Sequence, residues 1–182
     1  MNRRQFSLSA AAGLLSLTQT RARAAELAPA FSFPSIDGGT LDTADWRGRP
    51  VLVVNTASLC GFSGQLADLQ ALHETHGPRG LVVLAVPSDS FAQEYDDARQ
   101  VKEFCTLQFG ITLPMTDILP VKGPQAHPFY RWLAETRGFT PGWNFNKVLL
   151  DGEGQVVGTW GALTNPQSGA ITGAFAPLLP GS

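Results

Sequence analysis

Val51-Leu52-Val53-Val54-Asn55-Thr56-Ala57-Ser58-Leu59-Cys60-Gly61-Phe62-Ser63-Gly64-Gln65-Leu66 begins as an unbroken apolar run and passes through a short polar stretch into a helical pattern. Four consecutive apolar residues, three of them β-branched, suit a central strand buried on both faces. Beyond Cys60, Leu66, Leu69 and Leu72 recur three apart and predict one apolar helical stripe that ends near Gly77-Pro78. Cys60 is thereby expected at a strand-to-helix junction. Unpaired N–H groups and the positive dipole end of a helix's first turn favour thiolate over thiol. Cysteine is also among the most buried residue types, so position alone leaves a purely structural role open.

Working outward, Leu81 to Val86 forms a second apolar run. Strand, helix and strand at this spacing make a βαβ unit with parallel pairing. The second run stops at Pro87-Ser88-Asp89-Ser90-Phe91, a polar loop at the carboxyl edge of the sheet, where open α/β sheets place their ligands. Upstream, Phe31 and Phe33 precede the turn signal Asp37-Gly38-Gly39-Thr40-Leu41 and predict an N-terminal hairpin, while Arg47-Gly48-Arg49-Pro50 punctuates the chain before the central strand. Downstream, a helix from Asp96 carries Val101, Phe104, Cys105 and Phe109 on one face, so Cys105 is expected to point inward. A further helix is predicted near His127 to Thr136, with Phe129, Trp132 and Leu133. A hairpin is predicted over 143–160, its strands flanking Asp151-Gly152-Glu153-Gly154, and a last helix is predicted to start at Asn165-Pro166 and to carry Ile171, Phe175, Leu178 and Leu179.

The chain has 182 residues, 43% of them hydrophobic, enough for one sizeable core, and one α/β domain over residues 25–182 is the expectation. Its formal charge of −2 gives no basic footprint for nucleic acid, and no stretch is long and apolar enough to span a bilayer. Residues 1–24 read as an export signal: Arg3 and Arg4 precede a modest apolar segment, Leu8 to Leu17, followed by Ala22-Arg23-Ala24. The Arg3-Arg4-Gln5-Phe6 start and the serine- and threonine-diluted apolar segment are similar to a bacterial twin-arginine signal, which implies a periplasmic protein. Cleavage after Ala24 removes four arginines and no acid, leaving nine basic against fifteen acidic residues. Cys60 and Cys105, the two cysteines, both survive it. In an oxidising compartment an even count is compatible with a structural disulfide.

Four blocks, in order, resemble the glutathione peroxidase family: Val54 to Phe62, Phe104-Cys105 leading into Phe109-Gly110-Ile111-Thr112-Leu113-Pro114-Met115, Ala126-His127-Pro128-Phe129-Tyr130, and Trp143-Asn144-Phe145-Asn146-Lys147. The resemblance implies a thioredoxin-like fold, a central mixed sheet flanked by helices with an N-terminal β-hairpin. It implies that Cys60 attacks the hydroperoxide substrate, where some family members carry selenocysteine, and that Trp143 and Asn144 hydrogen-bond the reactive sulfur. Both side chains carry N–H donors able to stabilise a thiolate and a developing alkoxide. Cys105 matches the resolving cysteine of the two-cysteine branch, with a thioredoxin-like dithiol protein or glutathione as reductant. This chemistry calls for neither a cofactor nor a metal.

One departure is substantial. The family loop Pro-x-Asn-Gln-Phe reads Pro87-Ser88-Asp89-Ser90-Phe91 here, so Ser90 stands where a glutamine completes the family's catalytic tetrad, and its hydroxyl reaches less far. The segment from Pro128 to Trp143 lacks the insertion that family tetramers use, which implies a monomer. Two other functions remain compatible with the sequence. An exported thioredoxin-like disulfide exchanger would need a Cys-x-x-Cys pair, where this chain has Ser63, and a non-catalytic peroxide sensor would fit the missing glutamine.

Overall fold

The computed structural model describes residues 28–181, and the expected export signal over residues 1–24 lies outside the described residues. The N-terminal hairpin pairs β1 (Ser32–Pro34) with β2 (Thr40–Asp42). A four-stranded sheet follows, built from β3 (Val51–Thr56), β4 (Val82–Pro87), β5 (Lys147–Leu150) and β6 (Val156–Trp160). Its spatial order is β4-β3-β5-β6, with β3 and β4 parallel and both other pairings antiparallel. This is the mixed sheet of a thioredoxin-like fold. Its helices are α1 (Gln65–His76), α2 (Ala98–Phe109), α3 (Pro128–Arg137) and α4 (Gly169–Phe175).

Successive strand residues point to opposite faces, so a fully buried strand feeds two cores. Leu52 and Val54 of β3, Val83 and Ala85 of β4, and Leu149 of β5 pack with Leu66, Leu69 and Leu72 of α1, Val101 and Cys105 of α2, and Ile171 and Phe175 of α4. Val51, Val53, Val82, Leu84, Val86, Val148 and Leu150 face the other way, against Phe129 and Leu133 of α3 and Phe33 of the hairpin. Helices and hairpin thus cover both faces, and the polar chemistry is left to the loops at the sheet's edge.

Two boundaries differ from the sequence expectation by three residues or more. The last helix starts at Gly169, after Ser168, because Asn165 Oδ1 accepts from the Gln167 N–H (2.7 Å) and closes a turn of its own. Helix α1 starts at Gln65, five residues after Cys60. In between the chain advances by tight turns, Ser63 N–H to Cys60 O (2.9 Å), Gln65 N–H to Phe62 O (2.9 Å) and Leu66 N–H to Ser63 O (2.9 Å). Cys60 therefore belongs to the turn that leads into the helix, not to its first turn.

Helix ends are tied locally. Asp97 Oδ1 accepts from Arg99 N–H (2.8 Å) at the start of α2, and His127 Nδ1 accepts from Phe129 N–H (3.3 Å) at the start of α3. Gly110, at φ 63°, ends α2 in the left-handed conformation, and the N–H of Ile111 reaches Cys105 O (3.3 Å). Cys105 consequently sits near a helix end held by a single reversed turn.

Candidate active site

Three loops meet at the edge where β3 and β4 end and β5 begins: residues 57–64, 88–97 and 143–146. Asn55, near the end of β3 and 1% exposed, binds the third loop on both sides. Its Nδ2 donates to Trp143 O (3.0 Å) and its Oδ1 accepts from Asn146 N–H (3.0 Å). Its backbone N–H donates to Asn146 O (3.2 Å) and its carbonyl accepts from Phe145 N–H (2.6 Å). Asn146 reinforces the turn, donating from Nδ2 to Trp143 O (2.8 Å) and accepting at Oδ1 from Gly142 N–H (3.3 Å). Between them Phe145 is fully buried with φ 58°, a left-handed backbone that costs a residue with a Cβ about 1–2 kcal/mol. The surrounding hydrogen bonds outweigh that cost and fix the direction in which Trp143 and Asn144 leave the chain.

The second loop is pinned to the first by two bonds, Leu59 N–H to Gln93 O (3.0 Å) and Ser58 N–H to Glu94 Oε1 (3.1 Å). It is joined to the third by Asn144 Nδ2, which donates to Gln93 Oε1 (3.0 Å). Ala92, the only residue besides Phe145 that combines a side chain with a positive φ among the described residues (54°), turns the loop just before Gln93. Cys60 is 4% exposed and a free thiol. The same three loops carry an apolar rim: Trp143 is 42% and Leu59 55% exposed, and the Phe91 ring sits 5.3 Å from that of Trp143, with the Lys122 ammonium 4.1 Å from the Phe91 centroid.

Each residue singled out in the sequence can now be placed. Cys60, Trp143 and Asn144 are gathered by these loops, but Asn144 directs its amide at Gln93, and no hydrogen bond to the Cys60 sulfur is made among the described residues. Asn144 is wholly buried and its Oδ1 has no partner. Ser90 turns aside, its Oγ accepting from Val121 N–H (3.0 Å). Cys105 is 2% exposed on α2, within the same apolar cluster as Cys60, and also a free thiol. Burial first, and the Glu94 carboxylate second, push its thiol up to about 12, against a smaller opposing effect of the Ser58 hydroxyl.

Four contributors escaped the sequence reading: Asn55, Gln93, Glu94 and Asn146. Asn55 and Asn146 stood inside quoted motifs, and a polar side chain at the end of an otherwise apolar strand was the available signal. Gln93 lies three residues beyond Ser90, the position of the family's glutamine.

A buried cysteine in a turn between strand and helix, its loop tied to loops that carry side-chain amides and an indole on a thioredoxin-like scaffold, defines a thiol-based redox protein. Residues 29–134 match the glutathione peroxidase family profile. The chain is 39% identical over 142 residues to the glutathione peroxidase of Lactococcus lactis subsp. cremoris, covering 75% of this chain and 90% of that one. It is 37% identical over 150 residues to the hydroperoxy fatty acid reductase of Synechocystis, covering 75% and 87%. Among solved structures it resembles Trgpx in apo form, with a TM-score of 0.61 at 29% identity, over 82% of this chain and 96% of that one. The chain belongs to the glutathione peroxidase family.

Replacing Asn55 by alanine orphans the buried Asn146 N–H and frees the Trp143–Asn146 turn. Asn55→Ala is expected to lower stability by about 2–3 kcal/mol in urea unfolding and to slow oxidation of Cys60 by hydroperoxide. Unchanged values of both would remove Asn55 from its positioning role.

Proposed function

We propose that this protein is a thiol peroxidase that reduces hydroperoxides through Cys60, with Cys105 as resolving cysteine. The observation that carries the reading is the convergence of Cys60, Trp143, Asn144 and Gln93 at one sheet edge in a chain of this family. The Cys60 thiol gives up its proton, the thiolate attacks the terminal peroxide oxygen and the O–O bond breaks. That oxygen stays on Cys60 as a sulfenic acid, and the departing alkoxide or hydroxide takes up the thiol's proton and leaves as alcohol or water. Trp143 Nε1–H and the Asn144 amide are the donors available for the thiolate and the departing oxyanion. Gln93 supplies the amide that Ser90 lacks, by holding Asn144 at its Nδ2.

In the second half-reaction the Cys105 sulfur condenses with the sulfenic acid, releasing water, and an external dithiol protein or glutathione reduces the resulting disulfide. The two sulfurs must come within bonding distance, with Cα atoms roughly 7 Å apart or less, which asks the C-terminal turns of α2 to open. The apolar rim of Leu59, Phe91 and Trp143 suits organic hydroperoxides, in keeping with the name of the Synechocystis relative. The reading also includes export to the periplasm, by the twin-arginine route, of a monomeric domain. Arg3→Lys combined with Arg4→Lys is expected to leave precursor in the cytoplasm, and undisturbed export would point to the general secretory route.

A variant series tests the catalytic assignment. Cys60→Ser is expected to abolish peroxide consumption. Cys105→Ser is expected to keep the first oxidation of Cys60 while losing turnover with a thioredoxin system, its sulfenic acid trappable by a dione reagent. Gln93→Ala is expected to slow that oxidation more than Ser90→Ala. Peroxide consumption by Cys60→Ser at more than about a tenth of the wild-type rate would overturn the assignment, because a serine hydroxyl cannot form the sulfenic intermediate. Thioredoxin turnover surviving in Cys105→Ser would return the enzyme to a one-cysteine mechanism.

A further inference from the structure

Two residues before Cys60, Ser58 joins a second polar cluster that peroxide attack does not use. Ser58, Glu94 and Cys105 are 4%, 6% and 2% exposed and come from three different elements: the loop after β3, the loop after β4, and α2. Glu94 Oε1 accepts from the N–H of Ser58 (3.1 Å) and of Tyr95 (3.0 Å), which holds the carboxyl in place under the nucleophile's loop. The Ser58 hydroxyl lies near enough to the Glu94 carboxyl and the Cys105 thiol to bias the protonation of each. It nevertheless closes a well-formed hydrogen bond with neither, and is a buried hydroxyl without a partner among the described residues. Such a group usually has a role, since leaving it unpaired costs about 1–3 kcal/mol.

We propose that Glu94, acting through the Ser58 hydroxyl, takes the proton from Cys105 when Cys105 resolves oxidised Cys60. The inference rests on the two-cysteine reading above. In the step, Cys105 gives its proton to the Ser58 oxygen as Ser58 passes its own to the Glu94 carboxylate. The Cys105 sulfur then forms an S–S bond with Cys60 as the S–O bond of the sulfenic acid breaks. The departing hydroxide recovers the proton from Glu94 and leaves as water, so that Cys105 is oxidised, Cys60 is reduced from sulfenic acid to disulfide, and no further reactant is needed.

The electrostatics favour this sharing. Carboxylate with thiol and carboxylic acid with thiolate carry the same single charge, so the transfer adds none to a buried site. Burial raises the Glu94 carboxyl above its ordinary range, and Asp89 on its own loop adds to the rise, which makes Glu94 a better proton acceptor than an exposed carboxylate. Cys105 on α2 is the titratable group facing it from across the cluster. A thiol left without a base here would depend on hydroxide from solvent, which reaches the buried site only when the C-terminal turns of α2 open.

Rapid mixing of the full chain with hydrogen peroxide, with quenched samples analysed for sulfenic acid and for disulfide, separates the two half-reactions. In Glu94→Gln, which keeps an oxygen acceptor for the Ser58 and Tyr95 N–H groups, and in Ser58→Ala, disulfide formation at neutral pH is expected to fall about a hundredfold, far more than Cys60 oxidation does. In both variants its rate is expected to climb in proportion to hydroxide, while the wild type levels off once Glu94 is ionised. Ser58→Thr, which restores a hydroxyl, is expected to recover most of the rate. Disulfide formation within about threefold of wild type, or faster, in Glu94→Gln or Ser58→Ala, with the wild-type pH profile, would overturn the relay. A wild type that forms no Cys60–Cys105 disulfide would overturn the two-cysteine reading and the relay together, an outcome visible without any variant.

Discussion

The hydrogen bonds that join Asn55 to residues 143–146 are the constraint on which the site depends. Asn55 lies within β3, so its backbone is fixed by pairing with β4, and its side chain transmits that rigidity to a loop with no regular structure. An amide is suited to the task because it offers a donor to one backbone group and an acceptor to another. The loop it holds contains a left-handed phenylalanine, a conformation that an unsupported chain would abandon. Trp143 and Asn144 owe their placement to this arrangement, in which an interior strand of the sheet positions an irregular segment of the site.

From that anchor the order passes to the other two loops. Asn144 reaches Gln93, and the Gln93 and Glu94 segment in turn binds the backbone of Leu59 and Ser58, just ahead of Cys60. The three loops therefore close a ring of hydrogen bonds on the segment that leads to Cys60, and a disturbance at any one is felt at the others. A second device secures the base of α1, where the wholly buried Lys147 donates to Gln65 Oε1 (2.6 Å) and Thr164 O (2.7 Å), its ammonium lowered to about 8 by burial. Helix α2 is less constrained. One face carries Val101 and Cys105 into the core while Leu107 is 72% exposed, and its end is closed by the reversed turn at Gly110. The segment asked to move in the proposed cycle is thus the one outside the ring.

Much of the scaffold was legible in the sequence because it follows from hydrophobic period. The continuous apolar runs at Val51 and Leu81 became the paired central strands, and the three-residue spacing of Leu66, Leu69 and Leu72 became the buried face of α1. Periodicity fails where backbone and side-chain hydrogen bonds compete. The start of the last helix moved from Asn165 to Gly169 because the asparagine side chain closed a turn, and the turns after Cys60 delayed α1 to Gln65. Of the site, the cysteines, the tryptophan and Asn144 were visible through motif blocks. Gln93 and Glu94 were not, because a left-handed turn at Ala92 brings them under the nucleophile's loop and no linear spacing encodes that return. For the same reason Ser90, chosen by its rank in the loop, finds Val121 as its partner.

The proposed cycle turns on a buried sulfur, Cys60, reacting with peroxide and then joining the sulfur of Cys105. Treating the reduced wild-type protein with one equivalent of hydroperoxide, blocking the remaining thiols with an alkylating reagent and mapping unreduced peptides measures that directly. The account predicts that both cysteines escape alkylation together and appear as one cross-linked pair of peptides, recovered as free thiols after reduction. Cys60 oxidised while Cys105 is fully alkylated, or both cysteines alkylated as though no peroxide had been added, would contradict it.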